Sequence, residues 1–156
     1  MSSVEKSFQA MKTREGRKVG ASSWTLVDQG LVNEFAALTG DDQFIHLDES
    51  RAAAETPFGG TIAHGFLILS LISKFALEAL PNDPDKSIRV NYGFDKIRFI
   101  SPVMCGSRVR GHFALKNVGL SKPKELRQVY NVSIEIERFD RLALVADWIL
   151  LTIFDN

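Results

Sequence analysis

Cysteine is almost missing from this 156-residue chain: Cys105 stands alone and has no partner for an internal disulfide. A disulfide-stapled secreted scaffold is excluded, and a reducing, cytoplasmic setting is the expectation. Charge of one sign is missing too. Lys plus Arg and Asp plus Glu number 19 each, so the formal charge is zero and no net field draws the chain to a polyanion. Nucleic acid is not expected as a partner. The longest apolar run, Gly65 to Leu80, is interrupted by Ser70, Ser73, Lys74 and Glu78, and it falls short of the ~20 residues that span a bilayer. No membrane partner is expected. The polar lead, Met1 to Gly20, lacks the apolar centre of a signal peptide. Repeats, low-complexity tracts and flexible linkers are absent as well, which leaves a single domain over 1–156 as the expectation.

What is present divides at Pro81. Before it, Val19 to Leu26 reads as a strand, and Asp28 offers a side-chain oxygen to cap a helix running to about Leu38. Leu31, Val32, Phe35 and Leu38 fall on one face of that helix, and Gly40 ends it by taking the left-handed conformation. Glu49 to Glu55 fits a short helix, Pro57 to Thr61 a glycine-rich loop, and Ala63 to Leu80 a helix apolar almost all round, hence buried. Pro81-Asn82-Asp83-Pro84 breaks it, since neither proline continues the hydrogen-bond ladder.

Beyond the break the period is two. Val132, Ile134 and Ile136 alternate with Ser133, Glu135 and Glu137, and Val109, Phe113 and Leu115 alternate with polar residues, giving half-buried antiparallel strands. Leu142 to Phe154 is apolar enough to lie inside a sheet. In Ile88 to Phe99 the apolar phase slips between Phe94 and Ile97, which predicts a bulge near Asp95-Lys96. Helices followed by antiparallel strands make an α+β fold.

Chemistry-bearing residues gather in two segments. Asp41, Asp42, His46 and Asp48 follow the Gly40 stop, among apolar Phe44, Ile45 and Leu47. They read either as turn-capping surface aspartates with a core histidine, or as an acid–base pair. Gly59-Gly60-Thr61-Ile62-Ala63-His64-Gly65 puts small residues at the start of the apolar helix. Unpaired N–H groups and a positive dipole end gather there, so the Gly65 N–H suits a developing oxyanion. Tight-turn packing alone explains the same glycines. His46, His64, Asp41 and Asp48 are metal-ligand types, but the chain has no Cys pair and no His-x-x-x-His, and no metal or other cofactor is expected. Ser70 and Ser73 sit inside a helix and not on a Gly-x-Ser-x-Gly elbow, so neither is expected to be a nucleophile. Ser73 has two readings: it orients Asp41, or it bonds back into its own helix.

Together, Thr39-Gly40-Asp41 through His46-Leu47-Asp48 and Phe58-Gly59-Gly60-Thr61-Ile62-Ala63-His64-Gly65-Phe66-Leu67 resemble the two signature segments of the MaoC-like dehydratases. Asn91 to Phe99, Ser101-Pro102-Val103 and Gly106 to Val109 resemble that family's following strand pair, so the likeness covers nearly the whole chain. Many members carry Asp-x-Asn-Pro-x-His, where this chain has Asp41-Asp42-Gln43-Phe44-Ile45-His46. Gln and an aromatic in those slots resemble the nodulation-protein-N-like branch.

The resemblance implies a hotdog fold, a long central helix wrapped by an antiparallel β-sheet, paired into a homodimer. It further implies hydration of trans-2-enoyl-CoA to (R)-3-hydroxyacyl-CoA, with Asp41 and His46 as base and acid and the Gly65 N–H as oxyanion donor. Apolar neighbours are expected to enclose Asp41 and raise its carboxyl above the usual ~3.9. Substrate contacts are expected from Gly60, Ser73, Phe44 and Tyr92, and surface cations such as Arg89, Lys96, Arg98, Arg108 and Arg110 are candidates to meet the coenzyme A phosphates. A hotdog thioesterase and a non-catalytic acyl-thioester-binding subunit are the competing expectations.

Overall fold

The computed structural model describes residues 1–82 and 87–155. In chain order the elements are α1 (Ser3–Lys12), β1 (Lys18–Ala21), β2 (Thr25–Val27), α2 (Gln29–Thr39), α3 (Phe44–Leu47), α4 (Glu49–Glu55), α5 (Gly65–Ala79), β3 (Ser87–Phe99), β4 (Ser107–Lys122), β5 (Glu125–Ile136) and β6 (Leu142–Phe154). The strands form one antiparallel sheet in the order β1-β4-β5-β6-β3, and β2 also pairs with β4. The fold is the expected α+β hotdog arrangement. Among the described residues no helix is long and apolar enough to cross a membrane.

Helix α5 lies against one face of the sheet through Leu67, Ile68, Ile72, Phe75 and Ala76, which share a core with Val109, Phe113, Leu115, Val132, Ile134 and Leu144. Those strand residues sit at alternate positions, so one face of each strand packs on the helix. The approach is close at Gly111. A Cβ there would stand 2.9 Å from Phe75, so the strand admits the ring only because position 111 has no side chain.

Local signals placed most of the elements. Asp28 accepts from the Leu31 N–H at 2.8 Å, and Gly40 closes α2 with φ 79°. Helix α4 has the expected bounds. The register of β3 on β6 shifts between Phe94 and Lys96, where the bulge was expected, and again between Asn91 and Gly93. β6 has a neighbour on each side.

The structure departs from the sequence reading at four places. The polar lead holds α1, whose capping box joins Ser2 to Glu5 and whose Val4 packs on Leu126 and Phe154. Leu38 points to solvent, because Ala36 fills the buried position at the end of α2. Helix α5 starts at Gly65 and is not buried all round: Phe66 and Leu77 are exposed in the single chain. Of the proposed helix break, Asp83 and Pro84 lie outside the described residues.

The fourth concerns Val19 to Leu26, which is two strands and not one. At the break the Ser22 N–H donates to the Gly111 carbonyl, and the carboxylate of Glu78 on α5 accepts from the Ser23 N–H (2.9 Å) and hydroxyl (2.6 Å). These bonds take Ser23 out of the ladder. The Ser23 hydroxyl, its N–H and Lys74 together push the Glu78 carboxyl down to about 2. A carboxyl lowered on folding stabilises the fold above its unfolded value, and loses that contribution as the pH falls through the folded one. Glu78→Gln is therefore expected to lower Tm at pH 7, by an amount that shrinks between about pH 4.5 and 2. A Tm difference constant down to pH 2 would contradict this.

Candidate active site

The loop after α2 and the start of α5 meet through two imidazoles. His46, on α3, is buried and its Nδ1 lies 2.7 Å from the Ile62 carbonyl. A carbonyl only accepts, so Nδ1 carries a proton and donates it to Ile62, which leaves Nε2 free of that bond. His64, the residue before α5, is 2% exposed, and its Nε2 donates to the Asp41 backbone carbonyl at 2.9 Å. The two rings stack with centroids 3.8 Å apart and planes inclined by 23°, and Phe35 of α2 closes on His64 from 5.0 Å.

Asp41 is delivered by the left-handed turn at Gly40. One of its carboxylate oxygens and one ring nitrogen each of His46 and His64 lie within 4.8 Å of one another. Sequence spacing gave no sign that His64 joins Asp41 and His46, and the three together are metal-ligand types. An ion would need in-plane lone pairs that converge. Two rings 23° from parallel direct theirs side by side, so this pair does not fit one ion.

The first N–H of α5 belongs to Gly65. No side chain caps this helix, and the Leu67 and Ile68 amides turn back to the His64 carbonyl. The Gly65 N–H therefore has no acceptor within the helix and stands at the positive dipole end. The Phe99 ring would lie 3.0 Å from a Cβ at position 65, so any larger residue there has to push that ring aside. His46, Gly65, Ile68, Phe99, Ser101 and Val103 line one cavity of about 410 Å³.

Gln29 braces the loop. Its amide donates to the His46 carbonyl at 2.7 Å, while its oxygen accepts from the Thr61 hydroxyl at 2.5 Å. Neither Gln29 nor the stacking of His64 was foreseen, because each acts across 17 to 32 residues of chain. No local period carries such a signal.

The other expected residues scatter. Ser73 does not reach Asp41: it accepts from Asn91 at 3.1 Å, because eight residues of helix carry it about 12 Å beyond Gly65. Gly60 is buried beside Met104, packing the turn outside the cavity lining. Phe44 lies under the Arg51 guanidinium at 3.9 Å, and Tyr92 is 65% exposed at the β3 bulge. Asp41 keeps 51% of its side-chain surface exposed, so the apolar enclosure expected from its neighbours is not formed by this chain alone. Among the cations suggested for phosphate contacts, Arg108 and Arg110 pair with Glu137 and Glu135. Hydrogen bonds from Arg110 and then His112 hold the Glu135 carboxyl below its usual range. Burial pushes the Cys105 thiol up, which disfavours the nucleophilic thiolate.

The model of the MaoC like domain matches residues 10–136. Nodulation protein N of Rhizobium meliloti (strain 1021) is 46% identical over 151 residues, covering 97% of this chain and 94% of that protein. 3-Hydroxyacyl-thioester dehydratase Z of Mycobacterium tuberculosis (strain ATCC 25618 / H37Rv) is 41% identical over 135 residues, covering 86% and 88%. Among solved structures, the (R)-hydratase from A. caviae involved in PHA biosynthesis superposes with a TM-score of 0.66 at 25% identity, covering 86% of this chain and 96% of that one.

The joint between the two segments is testable as stability. His64→Leu deletes the donor to the Asp41 carbonyl, a loss of about 1 kcal/mol in urea unfolding. His64→Gln keeps a donor at the same reach and is expected to lose clearly less. Equal losses for the two variants would show that the bond contributes nothing.

Proposed function

Because the chain belongs to the MaoC-like dehydratase family, we propose that it interconverts trans-2-enoyl-CoA and (R)-3-hydroxyacyl-CoA by adding or removing water. The observation that carries this reading is the approach of the Asp41 carboxylate to His46 within 4.8 Å, beside the unpaired Gly65 N–H. Two hydrogen bonds of ~2.8 Å meeting at a tetrahedral water span about 4.6 Å, so a separation within 4.8 Å lets the Asp41 carboxylate and the His46 ring share one water. In hydration the water oxygen bonds to C3 as one of the pair takes its proton. The C2=C3 electron pair shifts onto the thioester carbonyl, and the proton taken from the water is delivered by the pair to C2, which leaves Asp41 and His46 as they began. The Gly65 N–H holds the enolate oxygen in between. No step needs a metal or a redox cofactor.

The acting form is a homodimer in the cytoplasm. Strand β3 pairs with β6 on one side only, and Ile88, Val90, Tyr92 and Phe99 along it are exposed, as are Phe66 and Leu77 of α5. A bare edge of thirteen residues with apolar side chains is a template for another strand. A second copy on that edge would bury these side chains, and sedimentation equilibrium is expected to return twice the 17.4 kDa chain mass. A monomer throughout would contradict the pairing.

The reaction is tested by mixing the purified protein with short and medium enoyl-CoA. The conjugated enoyl absorbance is expected to fall with no free thiol released. Thiol release from a saturated acyl-CoA would instead favour the thioesterase, and binding without turnover the non-catalytic subunit. Asp41→Asn and His46→Gln are each expected to lower kcat by about 10² to 10⁴. Full turnover in the double variant would sink the assignment.

A further inference from the structure

Among the described residues two buried side-chain polar atoms have no hydrogen-bond partner: Nδ1 of His64 and the hydroxyl of Ser101. Ser101 is 9% exposed and lines the cavity that holds His46 and Gly65. Apart from His46, every other side chain on that wall is apolar, with Ile62, Ile68, Val103 and Ala143 nearest in kind to a hydrocarbon lining. A buried serine usually satisfies its hydroxyl on nearby backbone. Here the next residue is Pro102, which has no N–H, and the Ser101 amide is itself directed to the Ala143 carbonyl at 3.4 Å. An unmatched hydroxyl in an apolar wall weakens the free protein, and a ligand oxygen would remove that cost.

We infer that Ser101 is a specificity residue that reads an oxygen on the acyl chain, so that the preferred substrate is a 2-enoyl thioester bearing a hydroxyl or keto group beyond its double bond. The inference rests on the hydratase reading and narrows its substrate class. The thioester carbonyl already has its donor in Gly65, which leaves Ser101 to the chain. A site built to hydrogen-bond a substrate hydroxyl discriminates against the analogue lacking it, because the protein group is then left unpaired.

The test uses trans-2-enoyl-CoA esters of matched length, with a hydroxyl at C4, C5 or C6, each beside its unsubstituted counterpart. For one of these positions the ratio of kcat/KM is expected to favour the hydroxylated ester about tenfold or more, and to fall to near one in Ser101→Ala. The same ratio is read as affinity by calorimetry on Asp41→Asn, so a chain with no turnover on any ester, which would refute the hydratase reading, still returns an answer for Ser101. Ser101→Ala is also expected to unfold at the same or a higher temperature. No hydroxylated ester favoured, a uniform loss across plain and hydroxylated esters, or a lowered Tm from a hydroxyl already bonded within the protein would each overturn the inference.

Discussion

Two hydrogen bonds from buried imidazoles join the segment around Asp41 to the start of α5, and the candidate chemistry depends on that joint. The His46 proton goes to the Ile62 carbonyl and the His64 proton to the Asp41 carbonyl, so each segment holds the other. Stacking at 3.8 Å fixes the ring planes. Both acceptors are carbonyls, so His46 Nδ1 and His64 Nε2 are the donating nitrogens. His46 also lines the cavity beside Gly65, while Gln29 ties the loop down through the His46 carbonyl.

The sheet makes this joint possible by holding α5 still. Phe75 enters the strand opposite Gly111, and a ring packed where a Cβ would collide leaves the helix little freedom to slide. A fixed helix start means a fixed Gly65 N–H, and electrostatic stabilisation of a developing oxyanion depends on donors that do not reorganise. Strand β3 and α5 leave apolar side chains exposed in the single chain. Asp41 keeps about half of its side-chain surface exposed there.

Features encoded within a few residues were legible in the sequence. The Asp28 cap, the Gly40 stop, the bounds of α4 and the slip of phase at Asp95 each follow from neighbours in the chain, and the structure has them where they were expected. Helix α1 was not read from the sequence: Ser2 and Glu5 have capping-box spacing, but polarity concealed the single stripe that Val4 and Ser7 bury. The family resemblance located Asp41, His46 and Gly65. It did not reveal that His64 is the stacking partner, because a histidine next to a helix start looks like any turn residue until the loop is folded over it. Ser73 shows the opposite error: a plausible partner by chemistry is carried about 12 Å away by helix rise. Ser101 had no signal beyond its place before Pro102, since an unpaired hydroxyl is defined only by what surrounds it.

The central claim is that one water, shared by Asp41 and His46, is added across a carbon–carbon double bond. Turnover of an enoyl-CoA in H₂¹⁸O tests it most directly, with the product examined by mass spectrometry. The account predicts one ¹⁸O at C3 of an intact 3-hydroxyacyl thioester, and one solvent hydrogen at C2 when the reaction is repeated in deuterated water. Label in a free carboxylate, or none in the acyl chain, would contradict it.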